Sequence, residues 1–245
     1  MKIITFASVK GGVGKTAAAV FTAAALAARD ARVIVIDGDP NNCATDYLAR
    51  EVEQEEIVAH DLYQALTGKR PLEGCIIGNG GTGLIPATGL IPATPALARA
   101  GTELANDPGV VLRFPKAVRA LEADIVIIDT PPSLTLELTV ALYAADVVLV
   151  PVGVSRWSVS AFSVVSDAVA GVCSALGKGP QLLSLPAIVT PKEAEILRDI
   201  STWRAVNSPI FKSAAIRNAL NAGTPLKAGS LAWTWYEALA REMTS

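Results

Sequence analysis

Val9-Lys10-Gly11-Gly12-Val13-Gly14-Lys15-Thr16 is the stretch that decides the fold. It follows Ile3–Ala7, a short apolar run that reads as a strand. It opens Thr16–Asp30, an alanine-rich segment free of Gly and Pro that reads as a helix. Strand, glycine-rich turn and helix in that order form a phosphate loop. The glycines let backbone N–H groups turn inward around phosphate oxygens, and the helix N-terminus adds its positive end. Lys15 is expected to reach the β- and γ-phosphates and the Thr16 hydroxyl to bind Mg²⁺. Val9 stands where the plain motif has its first glycine, and a second lysine, Lys10, follows it.

Outward from the loop, Val33–Ile36, Ile125–Ile128, Val147–Val150 and Leu185–Val189 are further short apolar runs separated by helix-like stretches. Runs of this kind suit strands buried on both faces of a parallel sheet. The alternation predicts an α/β fold, a mostly parallel twisted sheet with helices on both faces, closed by a helix over Leu231–Met243. No linker divides the chain, so residues 1–245 are expected to form one domain. Two of the apolar runs end in acids: Asp37-Gly38-Asp39-Pro40 follows the second strand, and Asp129-Thr130-Pro131-Pro132 the third. Strand ends of an open α/β sheet are where its ligand crevice lies.

The loop with its extra lysine resembles that of the ParA/MinD family of P-loop ATPases, whose version reads K-G-G-x-G-K-T. The family's D-x-D-P-Q motif is matched by Asp37 to Asn41, with Asn41 in place of the glutamine, and Ala17 replaces a frequent second threonine. Ile125–Asp129 looks like the family's Walker B strand. Val150-Pro151-Val152 with Ser155–Ala161 resembles its strand and loop near the dimer interface. Ile216–Pro225 and Trp235–Ala240 resemble its late helix and terminal helix. The resemblance implies ATP and Mg²⁺ as cofactors. It implies nucleotide contacts from Lys10, Gly11, Gly12, Val13, Gly14, Lys15, Thr16 and Ala17, and metal contacts from Thr16, Asp37 and Asp129. Lys10, Lys15 and Asp39 are the implied catalytic residues, with Lys10 reaching the partner subunit's ATP and Asp39 lying near the attacking water. It further implies an ATP-dependent homodimer, nonspecific DNA binding, and a ParB-like or other adaptor that stimulates an otherwise slow hydrolysis. The implied work is partition or positioning of a plasmid, chromosome or other large cargo, in the cytoplasm and on the nucleoid.

Charge is uneven. The chain carries 21 basic and 23 acidic residues, a formal net charge of −2, yet residues 196–227 hold five bases and one acid. Arg204, Lys212, Arg217 and Lys227 are therefore the candidate DNA-phosphate contacts, with Arg217 foremost because it falls in the late-helix resemblance. Cys43, Cys75 and Cys173 are widely spaced, and His60 is the one histidine, which argues against disulfide scaffolds and multi-histidine metal centres. The longest nearly apolar run, Ala17–Ala28, is too short to span a bilayer. A MinD-like membrane regulator is disfavoured because Leu231–Met243 carries Glu237, Arg241 and Glu242 and not a basic face. A metabolic P-loop ATPase subunit is the other alternative. No N-K-x-D base-reading motif supports a GTPase. Trp157 is the candidate aromatic for dimer contacts. A hexapeptide repeats in tandem, Gly83–Thr88 then Gly89–Thr94, and only one copy can fill a given strand position.

Overall fold

A computed structural model describes residues 1–244 except 79, 80, 83, 84, 87, 201 and 202, and leaves aside the side chains of 81, 82, 85 and 86. Seven strands form one sheet. They are β1 (Lys2–Phe6), β2 (Val33–Asp37), β3 (Thr88–Ile91), β4 (Ile125–Asp129), β5 (Val147–Val152), β6 (Gln181–Val189) and β7 (Ile210–Phe211). Their spatial order is β3-β2-β4-β1-β5-β6-β7, and every neighbouring pair is parallel. The sheet confirms the expected α/β class.

Parallel strands covered on both faces need apolar residues at every position, because successive side chains point to opposite sides. Ile4 and Phe6 of β1, with Val33 and Val35 of β2, face a core that includes α1 (Lys15–Ala27) and α7 (Leu231–Thr244). Ile3, Ile34 and Ile36 face the opposite core, with Phe114 and Val118 of α3 (Val110–Arg119) and Val140 of α4 (Leu136–Ala144). Val148, Val150 and Val152 of β5 pack against Phe162, Val165, Val169 and Val172 of α5 (Arg156–Leu176).

Helix α5 departs from the sequence reading. At 21 residues, with an 18-residue stretch of mean hydropathy 1.7, it is long and apolar enough to cross a membrane, unlike the Ala17–Ala28 run. Its buried residues Ser158, Ala161, Phe162, Val165, Val169 and Val172 fall on one stripe at helical spacing, the pattern of a helix packed on a sheet. Helix α1 starts one residue earlier than expected and ends at Ala27, with Asp30 in a left-handed turn at φ 63°.

Of the tandem repeat, the second copy, preceded by Thr88 at the end of the first, supplies the edge strand: Thr88–Ile91 pairs with Val33–Ile36. Gly83, Leu84 and Ala87 of the first copy lie outside the described residues.

Candidate functional site

The C-terminal ends of the strands bring the predicted site residues to one edge of the sheet. The loop after β1 turns on Gly12 (φ 71°) and Gly14 (φ 84°), conformations that favour glycine. Gly14 immediately precedes α1, so the loop amides and the helix N-terminus share one concavity. Space is tight there as well: a Cβ on Gly14 would lie 3.1 Å from Ile188 Cδ1. Lys15 is buried, while Gly11 and Gly12 are exposed.

Strand register sets Asp37 beside Asp129 at the ends of β2 and β4. Gly38 makes that approach possible, because its N–H donates to the Asp129 carbonyl at 2.8 Å and a Cβ would stand 2.8 Å from the same oxygen. Thr16 Oγ1 donates to Asp129 Oδ2 at 2.6 Å. Asp129 Oδ1 is buried and has no hydrogen-bond partner among the described residues. Burial raises the Asp129 carboxyl to about 6, against the pull of the Lys15 ammonium and the Thr16 hydroxyl. Burial also raises Asp37, to about 7, with the charge of Asp129 adding to it. Two clustered carboxylates that pay for their charge, one with an oxygen left unbonded, fit a divalent cation.

The acids have different jobs within the scaffold. Among the described residues, Thr16 bonds Asp129 and not Asp37. Asp37 Oδ2 accepts from the Thr45 amide and hydroxyl, both at 2.8 Å, and Oδ1 accepts from the Asp39 amide at 3.1 Å. Asp37 thereby ties the first turn of α2 (Cys43–Leu48) to the loop that carries Asp39. Thr45 Oγ1 in turn accepts from the Ala93 amide at 2.9 Å, so the second repeat copy supports this corner. Asp39 is buried, and its Oδ1 accepts from the Asn41 amide at 2.9 Å and from Asn41 Nδ2 at 3.0 Å. The shorter residue standing in the glutamine position thus orients Asp39.

Lys10 points elsewhere. Its Nζ donates to Ser155 Oγ at 3.3 Å, at the N-cap of α5. Beside it lies a hollow lined by Val9, Trp157, Ser160, Ala161 and Val164. Trp157 is 76% exposed and Leu134 62% exposed, the latter in the turn after Asp129.

On the far side of the phosphate loop, a cavity of about 460 Å³ opens between Gly12, Gly14 and Ala17 and the segment from Ile210 to Arg217. Lys212 and Arg217 line it, the latter from α6 (Ala214–Ala222). Of the four candidate DNA contacts, these two are together. Arg204 lies farther back, where its carbonyl accepts from Ser184 of β6, and Lys227 lies between α6 and α7; all four are exposed. Sequence reasoning missed Ile188, which lines the cavity at φ 57° in an irregularity between Ala187 and Val189. An isoleucine at a strand end carries no local sign of a left-handed backbone. Thr45 and Ser155 were missed for a similar reason, since a lone threonine or serine carries no sign of the side chain it will meet.

The family described as an AAA domain matches residues 1–177. The chromosome-partitioning ATPase Soj of Thermus thermophilus is 36% identical over 199 residues, covering 79% of this chain and 71% of that protein. Two solved structures share the fold across essentially the whole length. Apo McdA of Cyanothece has a TM-score of 0.84 at 23% identity, covering 100% of both chains. A plasmid partition protein of Borrelia burgdorferi bound to AMPPNP has a TM-score of 0.81 at 21% identity, covering 99% of this chain and 98% of that one. The match over residues 1–177, with the kinship to Soj, establishes that the chain belongs to the ParA/MinD family of P-loop ATPases.

Proposed function

We propose that this chain is a partition or positioning ATPase that works as one domain, dimerises on ATP and binds DNA without regard to sequence. The observation that carries the reading is the Lys15–Thr16–Asp129 cluster, with its buried, unpartnered Asp129 Oδ1. ATP phosphates lie in the loop from Lys10 to Ala17, against the amides and the Lys15 ammonium. The purine end occupies the cavity between Ala17, Ile188 and Phe211, whose volume suits a nucleoside. Thr16 and Asp129, beside Asp37, would hold Mg²⁺, which would supply charge neutralisation at the β- and γ-phosphates. Asp39, oriented by Asn41, holds the attacking water in line. The water oxygen bonds to the γ-phosphorus, the bond to the ADP oxygen breaks, and the water proton passes to the released phosphate.

Lys10 acts in trans. Its ammonium bonds Ser155 beside a hollow lined by the exposed Trp157, which supports a second subunit covering that face. Arg217, Lys212, Arg204 and Lys227 contact DNA phosphates, and dimerisation doubles those contacts. A ParB-like or other adaptor stimulates hydrolysis, and the protein works in the cytoplasm on the nucleoid.

Sedimentation with Mg²⁺ and a slowly hydrolysed ATP analogue, paired with phosphate release from ATP, tests the reading. Wild type should dimerise and turn over slowly. Lys15→Ala should not bind nucleotide, and Lys10→Ala should bind it but stay monomeric. A monomeric wild type with bound analogue would refute the ATP-dependent dimer.

A further inference from the structure

We infer that Ser155 is a positioning residue that stores the Lys10 side chain against α5. The inference rests on the reading of Lys10 as the residue that acts across the dimer.

Ser155 Oγ is a junction. It accepts from Lys10 Nζ at 3.3 Å and from the Ser158 amide at 3.2 Å, and shares a hydrogen bond with the buried Ser158 hydroxyl at 2.9 Å. One hydroxyl therefore caps a 21-residue helix and holds the end of a lysine 145 residues away in sequence. The location is electrostatically unusual. A helix N-terminus carries partial positive charge and favours anions, so an ammonium there is held against the helix field by the one side-chain hydrogen bond it makes among the described residues. Lys10 takes part in no ion pair among the described residues. A lysine stored in this way is restrained in direction but weakly bound. A phosphate arriving on the face beside Trp157 competes with one neutral acceptor and not with an ion pair.

This explains how one side chain can be kept off its own phosphate loop, only five residues from Lys15, and still be available to a partner's nucleotide. The loop backbone is pinned at the same point, since the Lys10 amide donates to Ser8 Oγ at 3.2 Å. Only the side chain is free to exchange partners.

Cap chemistry supplies the test. Asn and Asp cap helices about as well as Ser, so Ser155→Asn and Ser155→Asp keep α5 equally well started and differ mainly in the charge facing Lys10. The first readout is the acylation rate of Lys10 by dilute acetic anhydride in the nucleotide-free protein, followed by peptide mass spectrometry. The order Ser155→Ala fastest, wild type and Ser155→Asn alike, and Ser155→Asp at least threefold slower is the expected result. Equal rates in all four proteins overturn the proposal. The second readout is dimerisation with Mg²⁺ and a slowly hydrolysed ATP analogue. Ser155→Asp should need about ten times more analogue than Ser155→Asn at matched melting temperature, and equal requirements overturn the control by Ser155. Lys10→Ala dimerising like wild type would remove the reading of Lys10 in trans, while the labelling series still decides where Lys10 is stored.

Discussion

Thr16 and Asp129 meet through one short hydrogen bond, 2.6 Å from Oγ1 to Oδ2, and the second oxygen of the same carboxylate is buried with no partner among the described residues. Thr22, Thr135 and Ser184 also bury an unbonded hydroxyl among the described residues, but Asp129 is the one of the four that buries a charge. Asp129→Asn keeps the shape and an acceptor for Thr16 but removes the buried charge. It should weaken ATP binding at least tenfold in the presence of Mg²⁺ and little in its absence, by calorimetry. The nucleotide-free protein should gain about 1 kcal/mol, a rise of about 2–4 °C in melting temperature. A lower melting temperature would make Asp129 a structural acid.

Asp39 and Asn41 separate binding from turnover. Asp39→Ala should bind Mg-ATP and dimerise with wild-type affinity yet hydrolyse poorly, so that dimer accumulates. Asn41→Ala removes one of the two donors on Asp39 Oδ1 and leaves the backbone amide. A single hydrogen bond of about 1 kcal/mol corresponds to a loss of severalfold in kcat with KM unchanged. A KM effect without a kcat effect would show that Asn41 serves nucleotide binding instead.

The basic residues divide by position. Arg217 lines the cavity beside Gly12 and Gly14, whereas Lys227 does not. Lys227→Ala should weaken retardation of unrelated duplexes equally and flatten the log–log salt dependence by about 0.9 per lost contact, leaving ATP affinity intact. Arg217→Ala should change both DNA retardation and ATP affinity. Normal ATP affinity in Arg217→Ala would remove it from the nucleotide cavity.

Asp146 provides a stability test away from the site. Its Oδ2 accepts from the Ile3 amide at 2.7 Å and from Arg119 Nη1 at 2.9 Å, tying β1 to the start of β5. Burial opposes the charge, but Arg119 and the Ile3 amide outweigh it and hold the carboxyl below 3.8. A lowered pKa contributes stability that is present above the unfolded value and lost as pH falls through the folded one. Asp146→Asn should therefore cost about 1 kcal/mol near neutrality, given partial solvent screening, and progressively less below pH 4 in urea titrations. A difference that stays constant into acid would assign the effect to packing.

The strands β1, β2, β4 and β5 were legible because burial on both faces demands unbroken apolar runs. Strand β6 begins at Gln181, earlier than its apolar run suggests, because Ser184 can sit in the ladder while its backbone pairs with the segment around Ala205. Strand β7 is two residues long and β3 carries Thr88 and Gly89, so neither presents a pattern to read. In the site, the phosphate loop and the three acids were legible because their chemistry fixes their spacing. The links that aim them were not: Thr45 to Asp37 and Ser155 to Lys10 depend on where the fold brings chemically ordinary residues, and Asn41 to Asp39 on the turn that two neighbours make.

The doubled hexapeptide has a consequence for how this family member can vary in length. Thr88-Gly89-Leu90-Ile91 forms the sheet edge, and the same four residues occur at 82–85. Leu90 exchanges both backbone hydrogen bonds with Ile77, and Ala93 supports Thr45 from the same copy. A slip or deletion of six residues substitutes each of these with its chemical twin. The edge and the corner behind Asp37 are therefore indifferent to which copy fills them, and the span between 77 and 90 can gain or lose whole hexapeptides while any other increment changes what the strand presents.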